Sequence, residues 1–438
     1  MLAHLSNHYW LTNTHVPACL LAEPQIGSIN REGLVSIDLE ICDGKITAIQ
    51  PAGITPRSDI PIKDLHDLHN GIVLPCFIDM HTHLDKGHMW NRNPNLDGTF
   101  TGALQAVEQK RDHDRKWDRE DIYRRMEFGL KCSYAHGTKA IRTHIDCPPS
   151  KAEISLEVFR ELRDIWRDRI TLQAVSLIAL EGFAGNQGAA LADRIAGLGG
   201  ILGGVAYVNP DLEQQIDRVF TLAKERGLDL DFHVDENDNP ASNCLQQIAA
   251  AAIRHDFKGR VVCGHCCSLA VQESEVAAQT IELVKQAGIG IVSLPMCNLY
   301  LQDRSNARTP RWRGVTLLHE LKEAGIPVAI SSDNCRDPFY GFGDHDGLEV
   351  FNMAVRIAHL DTPYADWIRA ITSTPADLIG LNNAGRIGVG LPADLIIFKA
   401  RYFSELLSRP QIDRIVLRNG RSIDSTLPDY SELDDLLD

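Results

Sequence analysis

Gly203-Gly-Val-Ala-Tyr-Val208, then Leu212 to Glu225, then Asp229-Leu-Asp-Phe-His233 read as strand, helix and strand. The outer runs are short and β-rich, and the segment between them has the length and apolar spacing of an amphipathic helix. The same unit repeats on both sides. Upstream strand candidates are Ile72-Val-Leu-Pro75, Lys139-Ala-Ile-Arg-Thr-His144 and Thr171-Leu-Gln-Ala-Val-Ser176. Downstream ones are Arg260-Val-Val-Cys-Gly-His265, Gly290-Ile-Val-Ser-Leu294 and Pro327-Val-Ala-Ile-Ser-Ser332, with helical patterns such as Leu156 to Trp166 between strands. Eight strands alternating with helices predict an α/β fold, a closed (β/α)8 TIM-type barrel over residues 71–380. An open doubly wound sheet is the alternative.

The two ends carry another pattern. Val35 to Ile41 and Lys45 to Ile49 alternate around Asp43-Gly44, a strong hairpin signal. Asp394-Leu-Ile-Ile-Phe398 and Ile412 to Leu417 are β-rich runs, with turns at Leu391-Pro392 and Asn419-Gly420. Residues 1–70 and 381–438 are therefore expected to form one small β-sandwich domain built from both termini.

Composition narrows the partners. The 438 residues include 44 Lys and Arg against 59 Asp and Glu, a formal net charge of -15. That balance argues against non-specific nucleic-acid binding, which needs cations to displace counterions. The longest apolar stretch, Ile195 to Val208, is shorter than the roughly 20 residues of a spanning helix, so no membrane span is expected. The N-terminus lacks the basic and apolar regions of a secretory signal. Eleven cysteines, an odd number in no dense framework, fit reduced thiols in a cytoplasmic protein. A homo-oligomer is compatible with all of this.

Polar residues collect where the strands end. His81-Thr-His83 follows the first, Arg142-Thr-His144 the second and His233-Val-Asp-Glu236 the fifth, while His265 closes the sixth and Asp333 the eighth. In a closed barrel those ends meet at one mouth. His81 and His83 project to one side of an extended chain, and a metal cation would give both lone pairs a partner. Two half-exposed loop histidines would read the same way alone, but with His233, His265 and Asp333 a metal site is expected. Glu236, just past the fifth strand, is placed to shuttle protons beside such a site, although a first-turn helix glutamate would look alike. Cys263-Gly-His-Cys266 could be a redox pair, but no thioredoxin-like unit surrounds it, so buried thiols flanking His265 are expected. No Pro-Cys-x-x-Cys occurs, which rejects the zinc deaminase fold that acts on flipped bases.

Taken in order, several stretches together resemble the amidohydrolase superfamily and, within it, its cytosine deaminase group. They are Leu74-Pro-Cys-Phe-Ile-Asp-Met-His-Thr-His-Leu-Asp85, Gly98-Thr-Phe100, Arg142-Thr-His-Ile-Asp146, Phe232-His-Val-Asp-Glu236, His265, Asn298-Leu-Tyr-Leu-Gln302, Arg313-Gly314, Ser332-Asp-Asn-Cys-Arg-Asp-Pro-Phe-Tyr340 and Gly388-Val-Gly-Leu-Pro-Ala-Asp394. The resemblance implies one divalent metal ion, zinc or iron, held by His81, His83, His233 and Asp333. It implies that Glu236 protonates a ring nitrogen, that His265 orients the attacking hydroxide, and that Asp333 accepts a proton from water. The implied activity is hydrolytic deamination of a small heterocycle, cytosine or 5-methylcytosine first, with isocytosine, pterin, creatinine-type and triazine rings as alternatives. A non-catalytic metal-binding barrel is the reading from another class.

The sequence departs from the family in the pocket. The family's base-recognising glutamine follows the third strand, where this chain reads Ser176-Leu-Ile-Ala-Leu-Glu-Gly182. Leu180 is expected in its place, with Glu181 nearby. Asn334 follows the metal aspartate, and Phe339 stands where the family often has Trp. These four are the expected substrate-binding residues, and loss of the glutamine predicts a preference for a substituted ring over plain cytosine.

Overall fold

The computed structural model describes residues 5–23, 27–54, 61–113, 117–148, 152–364 and 366–436. They divide into two compact units, one of residues 1–78, 131–140 and 346–427, the other of 79–130, 141–345 and 428–438.

The second unit is organised by parallel strands. We number these β1 Phe77–Thr82, β2 Thr138–Asp146, β3 Thr171–Leu177, β4 Leu202–Ala206, β5 Leu230–Val234, β6 Val261–His265, β7 Gly290–Ser293 and β8 Val328–Ile330. One sheet runs β1-β2-β3 and another β4-β5-β6-β7-β8. Parallel bridges Val175–Ile201 and Ala179–Val205 join β3 to β4. At the other seam Thr82 bridges Asp333, whose amide donates to the His81 carbonyl at 2.9 Å. The ring of eight is thereby closed, as a TIM-type barrel requires and an open sheet does not allow.

The opening stretch shows why this sequence folds so. β5 and β6 are buried on both faces: Leu230, Phe232 and Val234 alternate with Asp231 and His233, and the buried Asp231 is paired with Arg142 at 2.8 Å. Between β4 and β5, the helix Leu212–Arg226 buries Ile216, Val219, Phe220 and Ala223 at helical spacing and ends at Gly227, in the left-handed region with φ 64°. Gly203 and Gly204 let neighbouring backbones approach: a Cβ on Gly203 would sit 2.1 Å from the Asp231 carbonyl oxygen, and one on Gly204 2.5 Å from that of Ile178.

The first barrel strand is not where the sequence suggested. Val73–Pro75 pairs antiparallel with Leu395–Ile397 in a small sheet, and β1 begins only at Phe77. An apolar triplet ending in proline looks the same in either sheet, and the edge position beside Leu395 tolerates the missing proline N–H. His81 and Thr82 thus lie inside β1 rather than after it.

The first unit contains two four-stranded sheets. In one, Lys45–Pro51, Leu34–Cys42, His8–Pro17 and Leu65–Asp67 are neighbours in that order. In the other the order is Arg421–Ser422, Ile415–Arg418, Leu395–Ile397 and Val73–Pro75. The Asp43-Gly44 hairpin forms as read, both residues at positive φ. Val35, Ile37, Leu39 and Ile41 send alternate side chains into a core shared with Tyr9, Leu395 and Leu417. Burying each such side chain contributes about 1.5–3 kcal/mol.

None of the eleven cysteines is in a disulfide, and nine are buried, Cys263 and Cys266 included. Among the described residues no helix is long and apolar enough to cross a membrane.

Candidate active site

The C-terminal strand ends gather the expected polar residues at one place. His81 Nε2 lies 3.2 Å from His233 Nε2, which lies 3.3 Å from His83 Nε2. Asp333 Oδ1 is 3.2 Å from His83 Nε2 and 3.7 Å from His81 Nε2. All four side chains are buried. Burial, with the cationic groups around them, holds the three imidazoles well below the usual histidine range, so their nitrogens carry lone pairs rather than added protons. Lone pairs facing one another repel unless something positive sits between them. Ligands about 2.0–2.1 Å from a tetrahedral ion lie about 3.3 Å apart, close to the spacing seen. The donor set fits a divalent ion.

Neighbouring contacts fix these groups. Asp79 accepts from Ser332 through both N–H, at 3.2 Å, and Oγ–H, at 2.5 Å, while Thr82 Oγ1 donates to the Asp333 carbonyl at 2.8 Å. Asp333 and His265 take φ of 65° and 67°, in the left-handed region that Asp and His enter more readily than most residues with a Cβ. His144, at the end of β2, packs its ring 3.9 Å from that of His81.

Glu236 and His265 form a second group beside the first. His265 Nδ1 is 3.2 Å from Glu236 Oε1, and Asn298 Nδ2 reaches both, donating to Glu236 Oε1 at 3.1 Å and lying 3.1 Å from His265 Nδ1. Burial alone would lower the His265 pKa, but Glu236, Asp333 and Asn298 outweigh it and raise it. The next helix begins only at Cys244, so Glu236 is not a first-turn helix residue. Asn298 lies in the short helix Pro295–Leu301, and its bridging position gives a physical part to a motif residue that sequence reasoning quoted without one.

A cavity of about 480 Å³ opens over these groups. Its lining includes His83, His233, Glu236, His265, Asp333, Asn334, Phe339 and Glu181. Leu180 is not among the lining residues: it is buried, its Cδ2 2.9 Å from where a Cβ on Gly204 would stand, while Ile178 and Ala179 face the cavity instead. The Asn334 amide is tied to Asp337 Oδ2 at 2.7 Å and to Cys297 Sγ at 3.6 Å. Sequence reasoning missed Lys86, which also lines the cavity, 3.2 Å from Asp146 Oδ1 and 5.0 Å from the Phe339 ring centre. Burial opposes its charge, yet Asp146, Asp85 and Asp337 together raise its pKa. Its signal was available, a lysine three residues past His83 in a strand-end loop.

The amidohydrolase family model matches residues 128–422. The chain belongs to the amidohydrolase family. It is 51% identical over 428 residues to a pterin deaminase of Rhizobium rhizogenes, covering 98% of this chain and 96% of that one. It is 26% identical over 377 residues to an N-isopropylammelide isopropyl amidohydrolase of Pseudomonas, covering 83% and 88%. A solved 5-methylcytosine deaminase from Klebsiella pneumoniae, liganded with 5-fluorocytosine, superposes with a TM-score of 0.80 at 24% identity over 94% of this chain and 97% of that one, a likeness of fold. As an amidohydrolase with deaminase relatives, this chain is a metal-dependent hydrolase of carbon–nitrogen bonds in cyclic amidines.

Proposed function

We propose that this amidohydrolase removes the exocyclic amine of a pterin-class ring, a fused bicycle bearing an amino group next to a lactam. The observation that carries the reading is the 51% identity along nearly the whole chain to a pterin deaminase. The cytosine and 5-methylcytosine reading rests on likeness of fold and gives way to one of its own alternatives. The cavity volume of about 480 Å³ lies within the range of small-molecule sites and leaves room for two fused rings. Phe100, Val107, Ile178 and Phe339 offer apolar and aromatic surface for a flat substrate.

In this reading His81, His83, His233 and Asp333 hold one divalent ion, zinc or iron. Such an ion supplies hydroxide at neutral pH by lowering the pKa of water towards about 7. Glu236, fixed by Asn298, delivers a proton to the ring nitrogen beside the amine-bearing carbon and makes that carbon electrophilic. His265 steadies the developing negative charge, and Asp333 takes the proton that water gives up. Hydroxide would add at the carbon, the proton held by Asp333 would pass to the amine so that it departs as ammonia, and the added hydroxyl would return its proton to Glu236 as the carbonyl forms. The odd count of cysteines, spread through the sequence in no dense framework, supports a cytoplasmic setting.

Ammonia release from pterin, isocytosine, cytosine and 5-methylcytosine tests the reading. Pterin is expected to lead in kcat/KM by about tenfold or more, the scale of one well-made contact. A tenfold lead for either cytosine would overturn it.

A further inference from the structure

A two-ring lactam presents a ring N–H and a carbonyl oxygen side by side, and a single glutamine amide can pair with both. The turn directly after β3, Ile178 to Gly182, holds no glutamine, and the residues that line the cavity there, Ile178, Ala179 and Glu181, offer no amide side chain. A buried ring edge left without partners costs about 1–3 kcal/mol per group, so another pair has to serve.

Resting on the pterin-class reading, we infer that Lys86 and Asp146 together read the lactam edge of the substrate, the ammonium donating to the carbonyl oxygen and the carboxylate accepting from the ring N–H. The two come from the ends of neighbouring strands, both line the cavity, and they stand 3.2 Å apart. An ammonium has three donors and a carboxylate about four acceptor sites, so their mutual contact leaves capacity on each for a ligand. Phe339, 5.0 Å from the ammonium, provides a flat face that would set the ring plane so that its edge meets the pair. Asn334 is tied to Asp337 and Cys297, and Glu236 to Asn298 and His265, while Glu108, Glu181 and Tyr207 line other parts of the cavity wall and provide no ammonium donor. A structural role alone accounts poorly for the pair, because a buried ion pair can often be replaced by packed apolar residues at no loss of stability. Lys86 is 5% exposed and Asp146 12%, so the pair is largely stripped of water before any ligand arrives. With the amine over the metal site, Glu236 serves one nitrogen of the amidine carbon and the Lys86–Asp146 pair the other side of the ring.

The test compares kcat/KM for pterin, for 2-aminopteridine, which lacks both the carbonyl and the lactam N–H, and for 3-methylpterin, which keeps the carbonyl and lacks only the N–H, so that the two comparisons together separate the two contacts. Wild type, Lys86→Met, Lys86→Arg and Asp146→Asn are run with metal content and melting temperature recorded. Lys86→Met is expected to cut the preference for pterin over 2-aminopteridine by about 10- to 100-fold, the value of a charge-assisted hydrogen bond, and Lys86→Arg to restore part of it. Asp146→Asn is expected to narrow the preference for pterin over 3-methylpterin by a similar factor. Preference ratios within threefold of wild type in both Lys86→Met and Asp146→Asn would overturn the inference, whichever variant is the better folded. If wild type releases no ammonia from pterin, the pterin reading fails separately. The same ratios are then taken on whichever ring of the panel wild type deaminates, with and without its carbonyl, and unchanged ratios there overturn the pair's role.

Discussion

At the base of the cavity His83, His233 and Asp333, with His81 buried beside them, come from the end of β1, from β5 and from the turn after β8, with successive donor atoms 3.2–3.7 Å apart. Its walls are another kind of construction. Phe100, Leu104 and Val107 come from one helix, Ile178 and Glu181 from the segment after β3, and Tyr207, 41% exposed, from the segment after β4. Strand ends in a closed ring hold atoms to fractions of an ångström, as a metal site demands, whereas connecting segments vary freely and set the shape that a substrate meets. One barrel can therefore keep its reaction while changing its ring, and relatives that deaminate a pterin and strip an isopropylamine fit that division.

Substitutions on the two surfaces should differ in kind, and the largest effect belongs to the floor. His81→Ala/His83→Ala is expected to lower bound metal from about one equivalent to a trace and turnover to background, read by elemental analysis beside an ammonia assay. Full metal content in the double variant would break the assignment. Glu236→Gln keeps shape and should keep metal, but is expected to lower kcat by about 10²–10⁴-fold. A kcat within twofold of wild type would remove Glu236 from the chemistry. On the wall, Phe339→Leu removes a stacking face and should cost about 0.5–1.5 kcal/mol, a few-fold to tenfold rise in KM with kcat little changed. The smallest effect is expected from Leu180→Met, which keeps volume at a buried position behind the wall. Substrate ratios should stay within about twofold, with a loss of stability below about 1.5 kcal/mol seen as a lower melting temperature. A large change in ring preference would return Leu180 to the pocket.

Much of the floor was legible because strand ends are legible. His83, His233, His265 and Asp333 could be placed by counting apolar runs, and a closed ring does the rest, joining residues about 150 positions apart in sequence. The walls were not legible in the same way. Leu180 and Ile178 differ by two positions in a non-repeating turn, and only backbone geometry decides which faces the cavity. Lys86 looked like a loop lysine because nothing in a linear sequence says that Asp146 will stand opposite it. Ile72 to Pro75 failed for a related reason: an apolar run states that it will be buried, not which sheet will bury it.

The nine buried cysteines bear on how the protein opens. Burial pushes the thiols of Cys76, Cys147, Cys244, Cys263, Cys266, Cys267 and Cys297 upward, which disfavours the thiolate that reacts with alkylating agents. Cys19 and Cys42 are partly exposed and lie in the first unit. Desolvation, Asp43 and Glu40 raise the Cys42 thiol as well, so exposure is what sets these two apart: a reagent added to the folded protein should reach them first and the others only as quickly as local structure breathes. Each buried sulfur is a clock fixed at a known address, and those of the barrel and of the first unit can be timed separately by mass spectrometry of the labelled peptides.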